Sequence, residues 1–331
     1  MIGVGTGFSI GSFSIAGSEP FAGMVRDDYV IALAAFEEDG LGGSVLDLLE
    51  RWDLTLPRLV RSAERWSVDQ DGLAALAVRV DRLRVRPPFR PRQIFAMSAN
   101  YRKHVIELVM GDPDMRSDEL ASAPDDAARY AAAERIMDER ADDAQPYALN
   151  KLPSALAGPF DPLPIPADMQ KIDWECELAV VIGRGARHVA AADAWSHVAG
   201  FAIANDVTAR DLVFRRDIKA MGTDWVSSKS QPGFLPLGPY LVPAAFVNHR
   251  DLRIRLSVND RVMQDESTRD MLIPIDRQIE YLSSRVQLLP GDVICTGSPA
   301  GNGSHHGVFL RSGDVMRASI SGLGEQRTPC V

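Results

Sequence analysis

Glu175 and Glu177 stand two residues apart in the run 171–177, Lys-Ile-Asp-Trp-Glu-Cys-Glu. Ile172, Trp174, Cys176, Leu178, Val180 and Ile182 are apolar, and Asp173, Glu175 and Glu177 fall between the first of them. A period of two belongs to a β-strand with one buried face. The two glutamates then project from the same face, about 6.6 Å apart along the strand. Like charges at that spacing repel unless something positive lies between them, and a hard divalent cation with oxygen ligands is one such partner. The other reading is a solvent-facing strand with acidic decoration. Further along, Asn100-Tyr-Arg-Lys-His104-Val-Ile-Glu107 follows a short apolar run and reads as the opening of a helix. On a helix His104 and Glu107 are i, i+3 neighbours that can touch. A third acid, Asp206, ends the apolar run that begins at Phe201.

The elements that must position these residues form a mixed pattern. Residues 8–35 carry short apolar runs separated by Gly, Ser and Asp-Asp, as in strands and hairpins. Residues 43–65 read as helical, and 74–95 as strand-like alternation through Val78, Val80, Leu83 and Val85. Pro87, Pro88 and Pro91 punctuate the chain, which suggests a small N-terminal α+β domain over 1–92 and a larger chemical domain over 93–331. Beyond 183, a helix is expected from 191 to about 198, strands near 252–258 and 293–296, and a helix near 275–289. Gly3, Gly5 and Gly7 do not make a dinucleotide-binding turn, because no strand precedes them and the third glycine is misplaced for G-x-G-x-x-G.

With 331 residues, 46% apolar and 24% charged, the chain has an ordinary globular composition. No apolar run approaches the roughly 18–20 residues that span a bilayer, so no membrane partner is expected. The N-terminus lacks a basic n-region, which argues against a secretory signal. Three cysteines without C-x-x-C spacing argue against a disulfide framework or a zinc site and fit a cytoplasmic location. A net charge of −9 argues against nucleic-acid binding. Much of that charge is local: residues 111–144 hold eleven acidic side chains against four arginines. The Ala-, Asp-, Glu- and Arg-rich stretch 121–140 reads as an exposed helical insertion (about 111–145), either a lid over a site or a solvated excursion.

Taken in order, the motifs resemble those of the fumarylacetoacetate hydrolase family. They are Asn100-Tyr-Arg-Lys-His104, the run from Asp173 through Glu175 and Glu177 to Gly183, and Gly200-Phe-Ala-Ile-Ala-Asn-Asp206 leading to Arg210-Asp211. Lys229-Ser230, Pro236-Leu-Gly-Pro239, Val258-Asn259, Gln264, Gly291-Asp292, Thr296-Gly-Ser-Pro-Ala-Gly301 and Gly322-Leu-Gly324 continue the series. The match runs from about residue 95 to the C-terminus. Phe21-Ala-Gly and Asp27-Asp28 resemble the family's variable N-terminal region more weakly.

The resemblance implies an α+β fold built on a mixed, curved β-roll with peripheral helices, usually as a homodimer. It makes Glu175, Glu177 and Asp206 ligands of Mg²⁺ or Mn²⁺ (Ca²⁺ as a stand-in in crystals), although Asp206 taken alone could cap a helix beginning at Val207. It makes His104 a base backed by Glu107. Arg210 and Lys229 become catalytic and substrate-binding cations, and Lys151 and Thr296 substrate contacts. The implied reaction is hydrolysis of a carbon–carbon bond in a small anionic oxo acid, a 2,4-dioxo acid of acylpyruvate or fumarylacetoacetate type. A decarboxylase of oxaloacetate type, a keto-enol tautomerase or a non-catalytic binding protein are the alternatives. This chain departs from the pattern in three places. Ser298 replaces a usual threonine, Val213 stands where glutamine is common, and His305-His306 occupy a loop beside Thr296 as surface residues or substrate contacts.

Overall fold

Every residue of the strand Cys176–Ile182 is buried, on both faces. The expected alternation therefore does not mark a strand with one wet side. Val198–Asn205 pairs antiparallel along one edge and Val293–Cys295 along the other, so the strand is interior to a sheet covered on both sides. This is a computed structural model, and it describes residues 7–68, 72–215, 217, 218, 220 and 222–331. Gly3 and Gly5 lie outside the described residues.

Among the described residues twelve strands join one mixed sheet. Its path runs Val78–Arg79, Tyr29–Ala32, Phe21–Arg26, Ser9–Ser14, Leu235–Pro243, Val198–Asn205, Cys176–Ile182, Val293–Cys295, Ile94–Ser98 and Tyr147–Lys151. Val293–Cys295 runs parallel to Ile94–Ser98, and the remaining neighbours along the path are antiparallel. Strands from before and after the Pro87–Pro91 punctuation thus share one hydrogen-bonded sheet, joined where Ile10 pairs with Leu241. A separate four-stranded sheet packs the order Arg261–Ser267, Arg253–Val258, Val315–Ile320 and Gly324–Pro329. The fold is α+β, as expected from the motif order. Gly200 shows how closely the strands approach: a Cβ there would sit 2.1 Å from the Val242 carbonyl oxygen, so only glycine fits.

The helix expected over 43–65 forms as Val45–Leu49 and Trp52–Val68, the first capped by Ser44, whose hydroxyl accepts from the Asp47 amide. The alternation over 74–95 is mostly not strand. Two two-residue strands, Val78–Arg79 and Arg84–Val85, flank a 3-10 turn, Val80–Arg82, because the Val80 amide donates to the Asp28 carbonyl rather than to a ladder. A 3-10 helix, Ala191–His197, and an α-helix, Ile275–Arg285, lie where helices were expected.

The acidic insertion is helical but is not a solvated excursion. Helix Asp126–Asp143, capped by Asp125, buries Ala132, Ala133 and Met137 against Val105, Ile106 and Val109 of the helix Arg102–Gly111. Arg102 pairs with Asp138 and donates to the Glu134 carbonyl at 3.0 Å. The insertion therefore braces the helix that carries His104 and Glu107. Met137→Ala should cost about 2–4 kcal/mol in urea unfolding; a variant as stable as the parent would return the insertion to the surface.

Candidate metal centre and active site

The Asn205 side-chain oxygen accepts from the Glu175 amide (2.9 Å), and the Asp206 amide donates to the Glu175 carbonyl (2.8 Å). These two bonds fix Asp206 beside the first residue of the glutamate pair. Glu175, Glu177 and Asp206 are 6%, 1% and 1% exposed, and each offers an oxygen within 4.8 Å of the others. Solvent-facing acidic decoration is excluded, because packing covers both sides of this strand. No helix begins at Val207 either; the chain continues into the strand Thr208–Ala209, which pairs with Ile172–Asp173. Asp206 is a side chain aimed at the other two carboxylates, not a helix cap.

Buried cations surround the triad. Lys229 Nζ donates to Glu175 Oε2 and Thr208 Oγ1, each at 2.8 Å, and to Asp206. Lys151 Nζ donates to Asp206 Oδ1 at 2.7 Å and to the Val207 carbonyl at 3.0 Å. Arg210 bridges Asp173 (Nε to Oδ2, 2.8 Å) and Glu175 (Nη2 to Oε1, 2.6 Å). Burial opposes ionisation of Glu175, but the charges of Lys229 and Arg210 outweigh it and bring its carboxyl down to about 2. Among the described residues Glu177 has no cation in hydrogen-bond contact. Its carboxylate accepts from the Gly297 amide at 2.7 Å, and burial followed by the Asp206 and Glu175 charges pushes it well above the usual carboxylate range. Burial, reinforced by the Lys229 charge, draws Lys151 below the ordinary lysine value.

The donor set fits a hard divalent ion. All three groups are carboxylates, the preferred ligands of Mg²⁺ and Mn²⁺. They are buried and adjacent, where like charges repel unless a cation lies between them. Glu177, the member furthest from a protein cation, has the most to gain from one.

The helix Arg102–Gly111 brings the base to this centre. Asn100 anchors its approach: its amide nitrogen donates to the Thr296 (2.8 Å) and Ile273 (3.2 Å) carbonyls, and its oxygen accepts from the Ile273 amide at 2.9 Å. His104 is 8% exposed, and its Nδ1 has no hydrogen-bond partner among the described residues. Glu107 Oε2 lies 4.0 Å away, beyond hydrogen-bond range but within reach of a small ring rotation. That oxygen accepts from the Gly301 amide at 2.9 Å, while Oε1 faces His305 Nε2 at 3.5 Å. Burial raises the Glu107 carboxyl, but His104, Gly301 and His305 together hold it below its usual value, so it is ionised at neutral pH. His305 thus meets the dyad from behind, and His306 is held at 3.2 Å from the Met263 carbonyl.

One cavity of about 340 Å³ joins His104, Glu175, Asp206, Arg210 and Lys229. Thr296 is fully buried with its hydroxyl unpartnered among the described residues, and it is not part of that cavity's lining. Sequence reasoning passed over Asp173 as a functional residue. Besides holding Arg210, it accepts from the Gly303 (2.6 Å) and Ser304 (3.1 Å) amides and so pins the His305 loop to the metal strand. Its place as the first acid of the 171–177 run was the available signal.

Residues 93–331 match the family profile described as fumarylacetoacetate (FAA) hydrolase, C-terminal. The mitochondrial oxaloacetate tautomerase FAHD2A of Bos taurus is 34% identical over 291 residues, covering 87% of this chain and 84% of that protein. The solved fumarylacetoacetate hydrolase of Exiguobacterium antarcticum superposes with a TM-score of 0.72 at 27% identity, over 98% of this chain and 99% of that one. Maleylpyruvate hydrolase from Sphingobium shares the fold at 24% identity, with a TM-score of 0.68 over 98% and 99% of the two chains.

Proposed function

The chain belongs to the fumarylacetoacetate hydrolase family, whose enzymes depend on a divalent metal, and we propose that it hydrolyses a carbon–carbon bond in a small 2,4-dioxo acid. The observation that carries this reading is the placement of His104, with an ionised Glu107 beside it, in the same cavity as Glu175 and Asp206 of the carboxylate triad. Decarboxylation needs the metal but has no use for a water-activating base.

Glu175, Glu177 and Asp206 would hold a divalent ion, which would supply Lewis acidity toward a substrate oxygen. His104 takes a proton from a water facing the distal ketone, and Glu107 stabilises the imidazolium that forms. The hydroxide oxygen bonds to the C4 carbon, and the C3–C4 bond breaks. The C4 fragment leaves as a carboxylic acid, and the electron pair of the broken bond stays on C3. Protonation at C3, by the proton His104 carries, yields the 2-oxo acid. Arg210 and Lys229 supply the positive potential that draws in the substrate carboxylate and offsets charge developing on the departing enolate.

Lys229→Met should lower kcat/KM on such a substrate by about 10²- to 10³-fold. Unchanged steady-state kinetics would confine Lys229 to pairing Glu175 and Asp206. The reaction itself is tested by incubating the protein with acetylpyruvate and Mg²⁺ or Mn²⁺, following loss of enol absorbance and identifying the products. Pyruvate and acetate support hydrolysis. The resemblance to the bovine tautomerase favours a second reading, ketonisation of an enol acid by the same base, in which absorbance falls with no fragments.

A further inference from the structure

Three elements that carry polar site residues each carry an apolar residue one turn away. Leu108 follows His104 by four residues in the helix Arg102–Gly111, and Trp225 precedes Lys229 by four in the helix Trp225–Lys229. Val213 follows Arg210 by three at the end of a 3-10 turn, where i and i+3 eclipse. All six residues line the same cavity. The spacing of four residues is about 6 Å along a helix axis. The cavity therefore sets a shell of charges beside an apolar collar. Phe309, Phe214 and Met115 extend the collar along the lining, the last two being 57% and 45% exposed. Met115 comes from the acidic insertion, and Val213 stands where a glutamine was the expected residue.

The charged groups of the collar do not suit a second anion. Asp112 adds a carboxylate to the lining. Lys171 is exposed, with its ammonium 6.0 Å from the centre of the Phe309 ring, so its charge stays hydrated. Arg210 and Lys229 belong to the inner charges, where the first carboxylate is drawn.

We propose that the substrate is a monoanionic oxo acid with an apolar acyl arm, four or more carbons long or aromatic, seated in the collar of Leu108, Val213, Phe214, Trp225 and Phe309. This rests on the oxo-acid reading of the inner shell, and it separates the chain from enzymes of short dicarboxylic acids. The arm extends from the reacting ketone along these apolar residues.

Calorimetric titration of the Mn²⁺-loaded full-length protein tests this with inert analogues: oxamate, N-butyloxamate, N-hexyloxamate and N-(5-carboxypentyl)oxamate. The expected gain is roughly two- to fourfold per methylene in contact, so the hexyl compound binds at least about tenfold tighter than oxamate, and the terminal carboxylate removes that gain. Val213→Asp should shrink the hexyl-to-oxamate ratio. Equal affinities along the series, no binding by any member, or tightest binding by the carboxypentyl compound would overturn the collar. The hydrolase reading fails separately. A chain-length gain with no cleavage of hexanoylpyruvate contradicts hydrolysis and leaves the collar standing. Equal kcat/KM on acetyl- and hexanoylpyruvate contradicts the collar and leaves hydrolysis.

Discussion

Glu177→Gln protein is expected to bind Mn²⁺ more than about 100-fold more weakly than the parent, and to lose activity with it. Outer contacts to metal ligands already account for about tenfold to 100-fold in affinity, so a ligand itself should count for at least as much. Glu177 is the cleanest of the three positions. Its carboxylate touches the Gly297 amide rather than a buried cation, and the amide oxygen of glutamine can still accept that bond. Glu175→Ala, in contrast, strips a partner from both Lys229 and Arg210, and an unpaired buried charge costs about 3–5 kcal/mol. Lost activity there would mix unfolding with lost metal. Thermal unfolding with and without Mn²⁺ separates the two for Glu177→Gln. A cation at about 100 times its dissociation constant stabilises the folded parent by about 2.7 kcal/mol, and the variant should show little of that shift. Full activity in the variant after chelator treatment would remove Glu177 from the metal centre.

His104→Ala should lower kcat by about 10²- to 10⁴-fold while leaving Mn²⁺ affinity close to that of the parent. The geometry separates the two roles. His104 lies on the helix Arg102–Gly111, whereas the carboxylates lie on and beside the strands Cys176–Ile182 and Val198–Asn205. Glu107→Gln should do less damage to turnover, because the new side-chain amide oxygen can still accept from the Gly301 amide and only the charge facing the imidazolium is lost. Single-turnover and steady-state rates on acetylpyruvate measure both variants. Parent-like turnover by His104→Ala would take the histidine out of the chemistry.

The carboxylates were legible in the chain because their type, spacing and order carry the signal: Glu175 and Glu177 two apart, Asp206 closing an apolar run. Their surroundings were not legible. A strand's own alternation says which side chains share a face, but not that a second layer covers that face. A solvent-facing Glu175 therefore stayed open as one of two readings, whereas it is buried. Nor does local sequence show that Lys229 and Lys151 reach the acids directly, since that depends on chain segments more than twenty residues apart meeting in the folded site. The insertion failed for a compositional reason. Ala132 and Ala133 are small, and an Ala-rich helix with many charges shows little contrast between its buried and exposed sides. Asp173 was seen as part of the alternation and given no role, because a carboxylate that caps a distant loop leaves no periodic trace. The α+β architecture and the element order were readable from 93 onward, where each motif borders a turn or a strand end.

In the proposed reaction water attacks an oxo acid held at the Glu175–Glu177–Asp206 centre, with His104 as its base. Turnover of acetylpyruvate with Mn²⁺ in ¹⁸O-labelled water measures this directly by product mass. The account predicts acetate carrying one ¹⁸O from solvent, formed in equal amount with pyruvate and lost in His104→Ala. Release of carbon dioxide, or loss of enol absorbance with the carbon chain intact and no acetate formed, would contradict it and assign the site to decarboxylation or tautomerisation.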